Sequence, residues 1–543
     1  MRVLGINAVF HDPSAALVVD GEVVAAAEEE RFSRRKHGKE PVPFAAWEQP
    51  VRAAAWCLRH AGLEPGELDA VACSYDPSLV DRDAPDTYPA WEWLRTTYAE
   101  HAPRFLATAL PGLPPERVRF VPHHVAHAAS AGLAAPWPDC AVLTVDGRGE
   151  STSMLAGHYR GGRLEVLAQQ RLPHSLGLMY EDLTEHLGFR RSSDEYKVMA
   201  LAAYAEPEFL PELTERIRCG GGGFEVDPVD WNHWAPRRAP GAELSEVHAK
   251  LAASAQARVE EVLLDLANWL GERTGADALA LAGGVALNCV ANTRIAADGP
   301  FEHVWVQPAA GDAGTALGAA LHVAAERGPV APMGGADLGR GFTDAELQTC
   351  LEAARLPYEK PDDVGAEVAA AVARNEVVAW FQGRSEFGPR ALGHRSLLAH
   401  PGHADNLERL NEIKGREQFR PVAPMVRAER AGELFARGPI PSPHMLFVHD
   451  VVERWRDRIP AVVHVDGTAR IQTVDGDREP LLARMLSAFE AETGLPVVVN
   501  TSFNTAGRPM VDGPVDALEC FGSSPIDVLA LGPFVVHRGR WAR

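Results

Sequence analysis

Apolar residues open the chain in short runs divided by turn residues. Residues 3–7, apolar up to Asn7, are predicted as a buried strand. Residues 15–20 and 22–27 are predicted as the two arms of a hairpin, because Asp20-Gly21 suits the positive φ angles of a two-residue turn. A polar loop through His11, Asp12 and Pro13 separates the first strand from that hairpin. The same plan returns further on. Residues 141–145 are a predicted strand that runs into a loop at Asp146, and 153–159 and 163–169 are hairpin arms around Gly161-Gly162. Between the two sets lies an alanine-rich run, 125–135, predicted as a helix with His123, His124 and His127 at its head.

The repeated plan is a duplication of architecture without a duplication of sequence. Two halves that each offer a strand-end loop to a shared cleft are how actin-like ATPases and sugar kinases hold nucleotide phosphates; two unrelated hairpins would leave the same pattern. Later, helices are predicted from about 176 through 187, over 195–203 and over 247–273, followed by a strand at 278–282 and paired glycines, Gly283-Gly284. A small-residue helix runs from about Asp312 through Ala325, and the Pro- and Gly-rich residues 328–341 read as a linker. Gly220 to Gly223 reads as a plain connection, since no helix opens after it. The Pro-, Trp- and Asp-rich stretch 76–117 is a loop-and-helix excursion without an assigned role.

Composition narrows the possibilities. A chain of 543 residues exceeds a single core, so two to four domains are expected. The net charge of −21 argues against a nucleic-acid partner or an anionic membrane surface. The 7 cysteines include no CxxC pair and read as buried free thiols of a reducing cytoplasm. The polar break at His11-Asp12 makes the N-terminus a strand rather than a signal peptide, and no apolar stretch reaches the length of a membrane span.

Several constellations carry chemistry. Residues four apart share a helix face, so His123 and His127 can point at one metal ion, and Asp146 from a strand end would add a carboxylate. Two imidazoles and a carboxylate suit zinc or non-haem iron; alternatively the histidines cap an ordinary helix. The Glu of a HExxH metalloprotease is missing from HHVAH. The charged run from Glu28 to His37 reads by default as a solvated helix face, although Lys36 could reach an anion near the His11 loop. Gly283-Gly284 allow close approach of a ribose or phosphate, and Asn288 and Asn292 would share a helix face. Asp312 reads equally as an N-cap and as a ligand. Beyond residue 342, Arg390, Lys414, Arg416, Arg420 and Arg470 stand in Gly- and Pro-flanked loops, and a strand over 497–499 feeds Asn500 to Asn504. Together these arginines suit an anion pocket that recognises phosphate or carboxylate.

These residues also carry a family resemblance. HDPSA at 11–15, EEERFSRRKH at 28–37, HHVAHA at 123–128, SLGLMYEDLTEHLGF at 175–189, LAGGVALN at 281–288, GDAGTALGAAL at 311–321, FGPRALGHRSLL at 387–398, FRPVAP at 419–424 and NTSFN at 500–504 resemble the O-carbamoyltransferases of the nodulation-factor and antibiotic-tailoring group. The resemblance covers nearly the whole chain.

It implies an α/β protein of two domains. Residues 1–341 would be a duplicated actin-like domain, similar to the metal- and nucleotide-binding protein of tRNA threonylcarbamoyladenosine synthesis, and 342–543 a YrdC-like domain. In such enzymes the C-terminal domain cleaves carbamoyl phosphate and joins carbamate to ATP, and the N-terminal domain passes the carbamoyl group from the adenylate to an alcohol. By motif, His123, His127, Asp146 and Asp312 would hold Fe(2+) or another divalent metal, and His11 would be the base. Lys36, Gly177, Gly284 and Asn288 would bind carbamoyl-adenylate in the first domain. Arg390, Lys414, Arg420, Arg470, Asn500 and Asn504 would serve ATP, with Mg(2+), in the second. The implied partners are carbamoyl phosphate, ATP and a small-molecule alcohol in a cytoplasmic enzyme, with no nucleic acid and no membrane. The rival readings are a tRNA threonylcarbamoyl transferase and a non-catalytic ATP-binding module. The acceptor is open among aminoglycosides, other sugars, polyketides and cephems, with 76–117 and 205–245 expected to shape its pocket; the oligomeric state is not legible.

Overall fold

The computed structural model describes residues 1–38, 49–81 and 92–540. They form two compact units, Met1–Gly334 and Gly335–Arg543. In the first unit, β1 (Arg2–Asn7), β2 (Ser14–Val19) and β3 (Glu22–Glu28) form an antiparallel meander, and β4 (Ala70–Cys73) and β5 (Val118–Phe120) extend it in parallel. The sheet order is β3-β2-β1-β4-β5. As the sequence pattern predicts, Asp20 and Gly21 both take positive φ in the β2–β3 turn.

The second half repeats the arrangement. Strands β6 (Asp139–Val145), β7 (Thr152–Arg160) and β8 (Arg163–Arg171) form the meander. After a small hairpin of β9 (Ile217–Gly220) and β10 (Gly223–Val226), the parallel strands β11 (Ala278–Ala282) and β12 (His303–Val306) complete a sheet of order β12-β11-β6-β7-β8. Each half is thus a meander whose first strand also pairs with one later parallel strand, which pairs in turn with another. The run Gly220 to Gly223 is the tip of the small hairpin.

Helix packing brings the halves together. The His123–Gly132 helix starts two residues before the predicted 125 and lies against the Ala313–Ala325 helix. A Cβ at Gly318 would stand 1.8 Å from the carbonyl oxygen of Ala126, and one at Gly5 of β1 would stand 1.8 Å from that of Ala316. Only glycine permits these approaches, and they draw the N-termini of the two helices toward the ends of β1 and β6.

The charged run 28–37 differs from its default reading as a solvated helix. It is the end of β3, a single helical turn at Glu30–Ser33 and a 3-10 turn at Lys36–Gly38. Glu28, Glu29, Glu30 and Arg31 are buried. Their charges meet partners: Glu29 Oε2 accepts the Ala53 N–H at 2.8 Å and Glu30 Oε2 the His37 N–H at 2.7 Å. Of the excursion 76–117, residues 82–91 lie outside the described residues; the rest includes the helices Glu92–Glu100 and Ala102–Ala109.

The second unit contains β13 (Val378–Phe381), β14 (Arg395–Ala399), β15 (Ala423–Arg427), β16 (Phe435–Ala436), β17 (His449–Val451), β18 (Thr468–Ala469), β19 (Gln472–Val474), β20 (Val497–Ser502), β21 (Val528–Leu531) and β22 (Phe534–His537). Seven of these make one mixed sheet, β19-β15-β20-β14-β13-β21-β22, and β16-β17-β18 form a small second one. The Val364–Ala373 and Pro480–Thr493 helices pack together over a core containing Trp380, Phe381, Phe489, Phe503, Phe521 and Phe534. The architecture is mixed α/β throughout.

Candidate active site

His123 and His127 lie on one face at the start of their helix, with ring centroids 4.6 Å apart. Asp146 leaves the end of β6 beside them, and Asp312 stands at the mouth of the Ala313–Ala325 helix. The Asp146 Oδ2 atom is 3.3 Å from His123 Nε2 and 3.4 Å from His127 Nε2, and Asp312 Oδ1 is 3.5 Å from both. All four side chains are buried. Asp312 occupies the N-cap position, as one of its two readings expected, but its side chain makes no capping hydrogen bond and faces the histidines instead.

The donor set fits a metal ion. His123 Nδ1 lies 3.2 Å from the Ser74 carbonyl, an acceptor only, so Nδ1 carries a proton and Nε2, on the carboxylate side, is the atom that could bind a metal ion in place of a proton. Asp146 Oδ1 takes the Gly284 N–H at 2.9 Å, leaving Oδ2 to face the histidines. His127 Nε2 and Asp312 Oδ1 are buried and make no hydrogen bond among the described residues. Bonds of about 2.1 Å to one tetrahedral ion would separate ligand atoms by roughly 3.4 Å, close to the spacings found. Charge tells the same story. Burial works against a protonated His123, yet Asp312 and Asp146 hold its pKa well above the ordinary value. Against burial, the histidines hold Asp146 well below the carboxylate range, and His11 and His123 bring Asp312 to about 2. Two ionised carboxylates in a buried pocket call for positive charge.

The remaining residues named for the first unit divide. His11 reaches the cluster through Asp312, its Nε2 4.0 Å from Asp312 Oδ2. Gly284 binds Asp146 as described, and Gly177 packs so tightly on the same loop that a Cβ would stand 2.6 Å from the Gly147 nitrogen. Lys36 is part-exposed, with Nζ 3.7 Å from Glu30. Asn288 caps the Cys289–Asp298 helix by accepting the Ala291 N–H and exchanges two hydrogen bonds with Gln256. It therefore precedes that helix rather than sharing a face with Asn292, whose amide binds the Ala286 carbonyl at 2.7 Å.

In the second unit strand direction does the gathering. β20 is antiparallel to β14 and β15, with Ser502 opposite Ser396 and Asn500 opposite Ala423. β15 is parallel to β19. The exit of β20 therefore stands beside the entries of β14, β15 and β19, and Arg390, Arg420, Arg470 and Asn504 lie in the segments that adjoin these strand ends. Lys414, at the end of the Asn406–Lys414 helix, is buried and donates to Asn504 Oδ1 at 2.6 Å and Ser502 Oγ at 2.9 Å. The Asn500 amide reaches the Ala391 carbonyl at 3.1 Å and Gln472 Oε1 at 2.7 Å. Glu386 shapes the Arg390 loop by accepting N–H groups from Leu392, His394 and Arg395 at 2.7, 3.0 and 3.1 Å.

Comparison with known proteins settles the family. Residues 2–112 and 112–321 match the family described as Carbamoyltransferase N-terminus, and 369–538 match Carbamoyltransferase C-terminus. The chain belongs to the carbamoyltransferase family. An uncharacterized protein of Synechocystis sp. is 38% identical over 99% of this carbamoyltransferase and 97% of its own length. Nodulation protein NolNO of Sinorhizobium fredii is 36% identical over 98% of this chain and 80% of its own. Among solved structures, component A of the (R)-2-hydroxyglutaryl-CoA dehydratase of Acidaminococcus fermentans aligns with 59% of this chain and 97% of its own at 14% identity and a TM-score of 0.32, too loose a likeness to carry an argument.

Around the cluster of His123, His127, Asp146 and Asp312, the carbamoyltransferase uses residues that the sequence pattern did not single out. Glu150, inside the loop after Asp146, accepts the backbone N–H groups of His123 and Asp76, each at 2.8 Å, and so anchors the histidine helix. Ser175 caps the next helix and donates to the Gly147 carbonyl at 2.6 Å. A carboxylate four residues beyond Asp146 and a serine before an apolar helix were the available signals.

Proposed function

We propose that this carbamoyltransferase is an ATP-dependent O-carbamoyltransferase that carbamoylates a hydroxyl of a small natural product, drawing on carbamoyl phosphate through carbamate and carbamoyl-adenylate. The observation that carries this reading is the buried His123, His127, Asp146 and Asp312 cluster, with unsatisfied atoms facing a common point and His11 beside it. The cationic residues beside the strand ends of the second unit support the other half of the chemistry.

Carbamate is a weak electrophile because its carbon bears an oxyanion. In residues 342–543, read as a YrdC-like domain, carbamoyl phosphate would be hydrolysed by water to carbamate and phosphate. A carbamate oxygen would then attack the α-phosphorus of ATP, expelling pyrophosphate. Arg390, Arg420 and Arg470 suit the phosphate oxygens, Lys414 the developing negative charge, and Asn500 and Asn504 fix strand-end geometry around it. ATP would enter with Mg(2+).

In residues 1–341, read as a duplicated actin-like domain, the acceptor hydroxyl would attack the carbamoyl carbon and expel AMP. His123, His127, Asp146 and Asp312 would hold Fe(2+) or a similar divalent ion, which supplies Lewis-acid stabilisation of negative charge. His11 would take the hydroxyl proton, a contribution typically about 10²–10⁴-fold. Lys36, Gly177, Gly284 and Asn288 would receive the adenylate, the glycines by admitting its phosphate or ribose close to backbone N–H groups.

The test is pyrophosphate release from ATP by purified protein supplied with Fe(II) and no acceptor. Pyrophosphate that depends on carbamoyl phosphate is the expected result. Its absence, both alone and with a panel of aminoglycoside, polyketide and cephem alcohols, would remove adenylate chemistry from the account.

A further inference from the structure

Beside the metal-ligand cluster runs a second chain of side chains drawn from three loops. Asp12 lies between β1 and β2, His37 in the 3-10 turn after β3, and Ser193 between the Leu176–His186 and Glu195–Ala202 helices. His11 Nδ1 lies 2.9 Å from Asp12 Oδ2, His37 Nδ1 2.8 Å from Asp12 Oδ1, and His37 Nε2 2.8 Å from Ser193 Oγ. One carboxylate thus joins two imidazoles, and the far end of the second imidazole meets a hydroxyl from the other half of the unit.

The direction of the two bonds to Asp12 follows from the groups. Burial would raise the pKa of Asp12, but His37 and His11 outweigh it and hold the carboxyl well below its usual range, so Asp12 accepts only. Both Nδ1 atoms must then donate to it. His37 Nε2 meets the Ser193 hydroxyl, which can donate to it or accept from it. By the same logic His11 carries a proton on Nδ1, which leaves Nε2, on the Asp312 side, as the atom that can take up another.

Backbone strain marks the same place. Among the described residues ten other than glycine have positive φ, and five of them, Phe10, Asp12, Arg34, His37 and Ser192, fall in these three loops. Such conformations persist only where surrounding contacts impose them, and they gather at functional sites. Glu30 supplies one such contact by binding the His37 backbone N–H.

We propose that Asp12 and His37 are positioning residues that fix His11 in the Nδ1-protonated form, with Ser193 orienting His37. This deepens the reading of His11 as the base and rests on it for its functional meaning. A base must present Nε2 unprotonated to the acceptor hydroxyl at the start of each turnover, and a carboxylate held from behind by a second histidine enforces that tautomer.

The experiment is nitrogen NMR of the full-length protein with ¹⁵N-labelled histidine, reconstituted with Zn(II), a diamagnetic ion; the His11 signals are assigned by their loss in His11→Gln. Positions 12 and 37 both have positive φ, so Asp12→Gly and His37→Gly remove side chains without opposing the backbone, and His37→Asn keeps a donor near the Nδ1 position. The expected spectrum shows one His11 tautomer, protonated at Nδ1, in wild type and His37→Asn, and averaging of the two tautomers in Asp12→Gly and His37→Gly. A wild-type His11 protonated at Nε2, or an unchanged tautomer in Asp12→Gly, would overturn the proposal. Averaging in Asp12→Gly with a fixed tautomer in His37→Gly would overturn the part given to His37. The tautomer is read without any acceptor, so a His11→Ala variant that still transfers carbamoyl groups would refute the base while leaving the NMR result standing.

Discussion

His11 and Asp312 meet across 4.0 Å, from the imidazole Nε2 to carboxylate Oδ2, while Oδ1 of the same carboxylate faces His123 and His127. Asp312 therefore belongs to both the candidate metal-ligand set and the surroundings of His11. Under the proposed function, a carbamoyl group held near these four side chains would lie within reach of a hydroxyl that His11 deprotonates. His11→Ala is expected to lower carbamoyl transfer by about 10²–10⁴-fold. Carbamoyl-phosphate-dependent pyrophosphate release should persist, because the residues assigned to it lie in the other unit. Loss of both activities together would count against this division.

The candidate metal-ligand cluster makes a prediction about composition and stability that needs no substrate. Elemental analysis of wild type should find about one transition-metal ion per chain, and His127→Ala should retain almost none. An ion present at 1,000 times its dissociation constant stabilises the folded state by about 4 kcal/mol. Chelation should therefore lower the Tm of wild type and leave that of His127→Ala unmoved. Equal metal content in the two proteins would contradict the ligand assignment.

Gly318 tests how the helices deliver those ligands. A methyl group there would collide with the Ala126 carbonyl, forcing apart the helices that carry His123 and His127 on one side and Asp312 on the other. Gly318→Ala is expected to cost about 1–3 kcal/mol, the usual penalty of overpacking, and to weaken metal retention as well. Gly328→Ala, with no atom near its Cβ, is the control and should leave both unchanged.

The pH dependence of the second unit has a definite sign. Burial, aided by Arg478, pushes the His444 pKa from its ordinary 6.5 down to about 4. Between those values the unfolded chain binds a proton that the folded chain does not, so the stability that a neutral His444 contributes is present above pH 6.5 and lost as pH falls toward 4. Denaturant titrations at pH 7 and pH 5 should show lower stability at pH 5, with a smaller difference in His444→Gln. An unchanged difference would assign the effect to other groups.

Local signals made part of this molecule legible in its sequence. Asp20-Gly21 carries its own turn preference, and the four-residue spacing of His123 and His127 places both on one helix face whatever surrounds it. The charged run 28–37 misleads for the opposite reason. Charge patterning favours a solvated helix, but Glu29 and Glu30 bind backbone N–H groups of Ala53 and His37, contacts that no local pattern encodes. Asp312 read equally as a cap because residue type and position do not reveal that its Oδ1 faces two histidines from another helix. That Arg390, Arg420, Arg470 and Asn504 adjoin neighbouring strand ends depends on the mixed directions of β14, β15, β19 and β20, fixed by long-range pairing.

The most direct test of the central claim is the identity of the nucleotide product. The protein, loaded with Fe(II), is given ATP and ¹³C-labelled carbamoyl phosphate without acceptor, and the quenched mixture is analysed by mass spectrometry. The expected products are pyrophosphate and an AMP conjugate that carries the ¹³C label, both missing from Arg420→Ala. ADP and phosphate in their place, with no labelled AMP conjugate, would contradict the account, because the protein would then be cleaving ATP as an ATPase does.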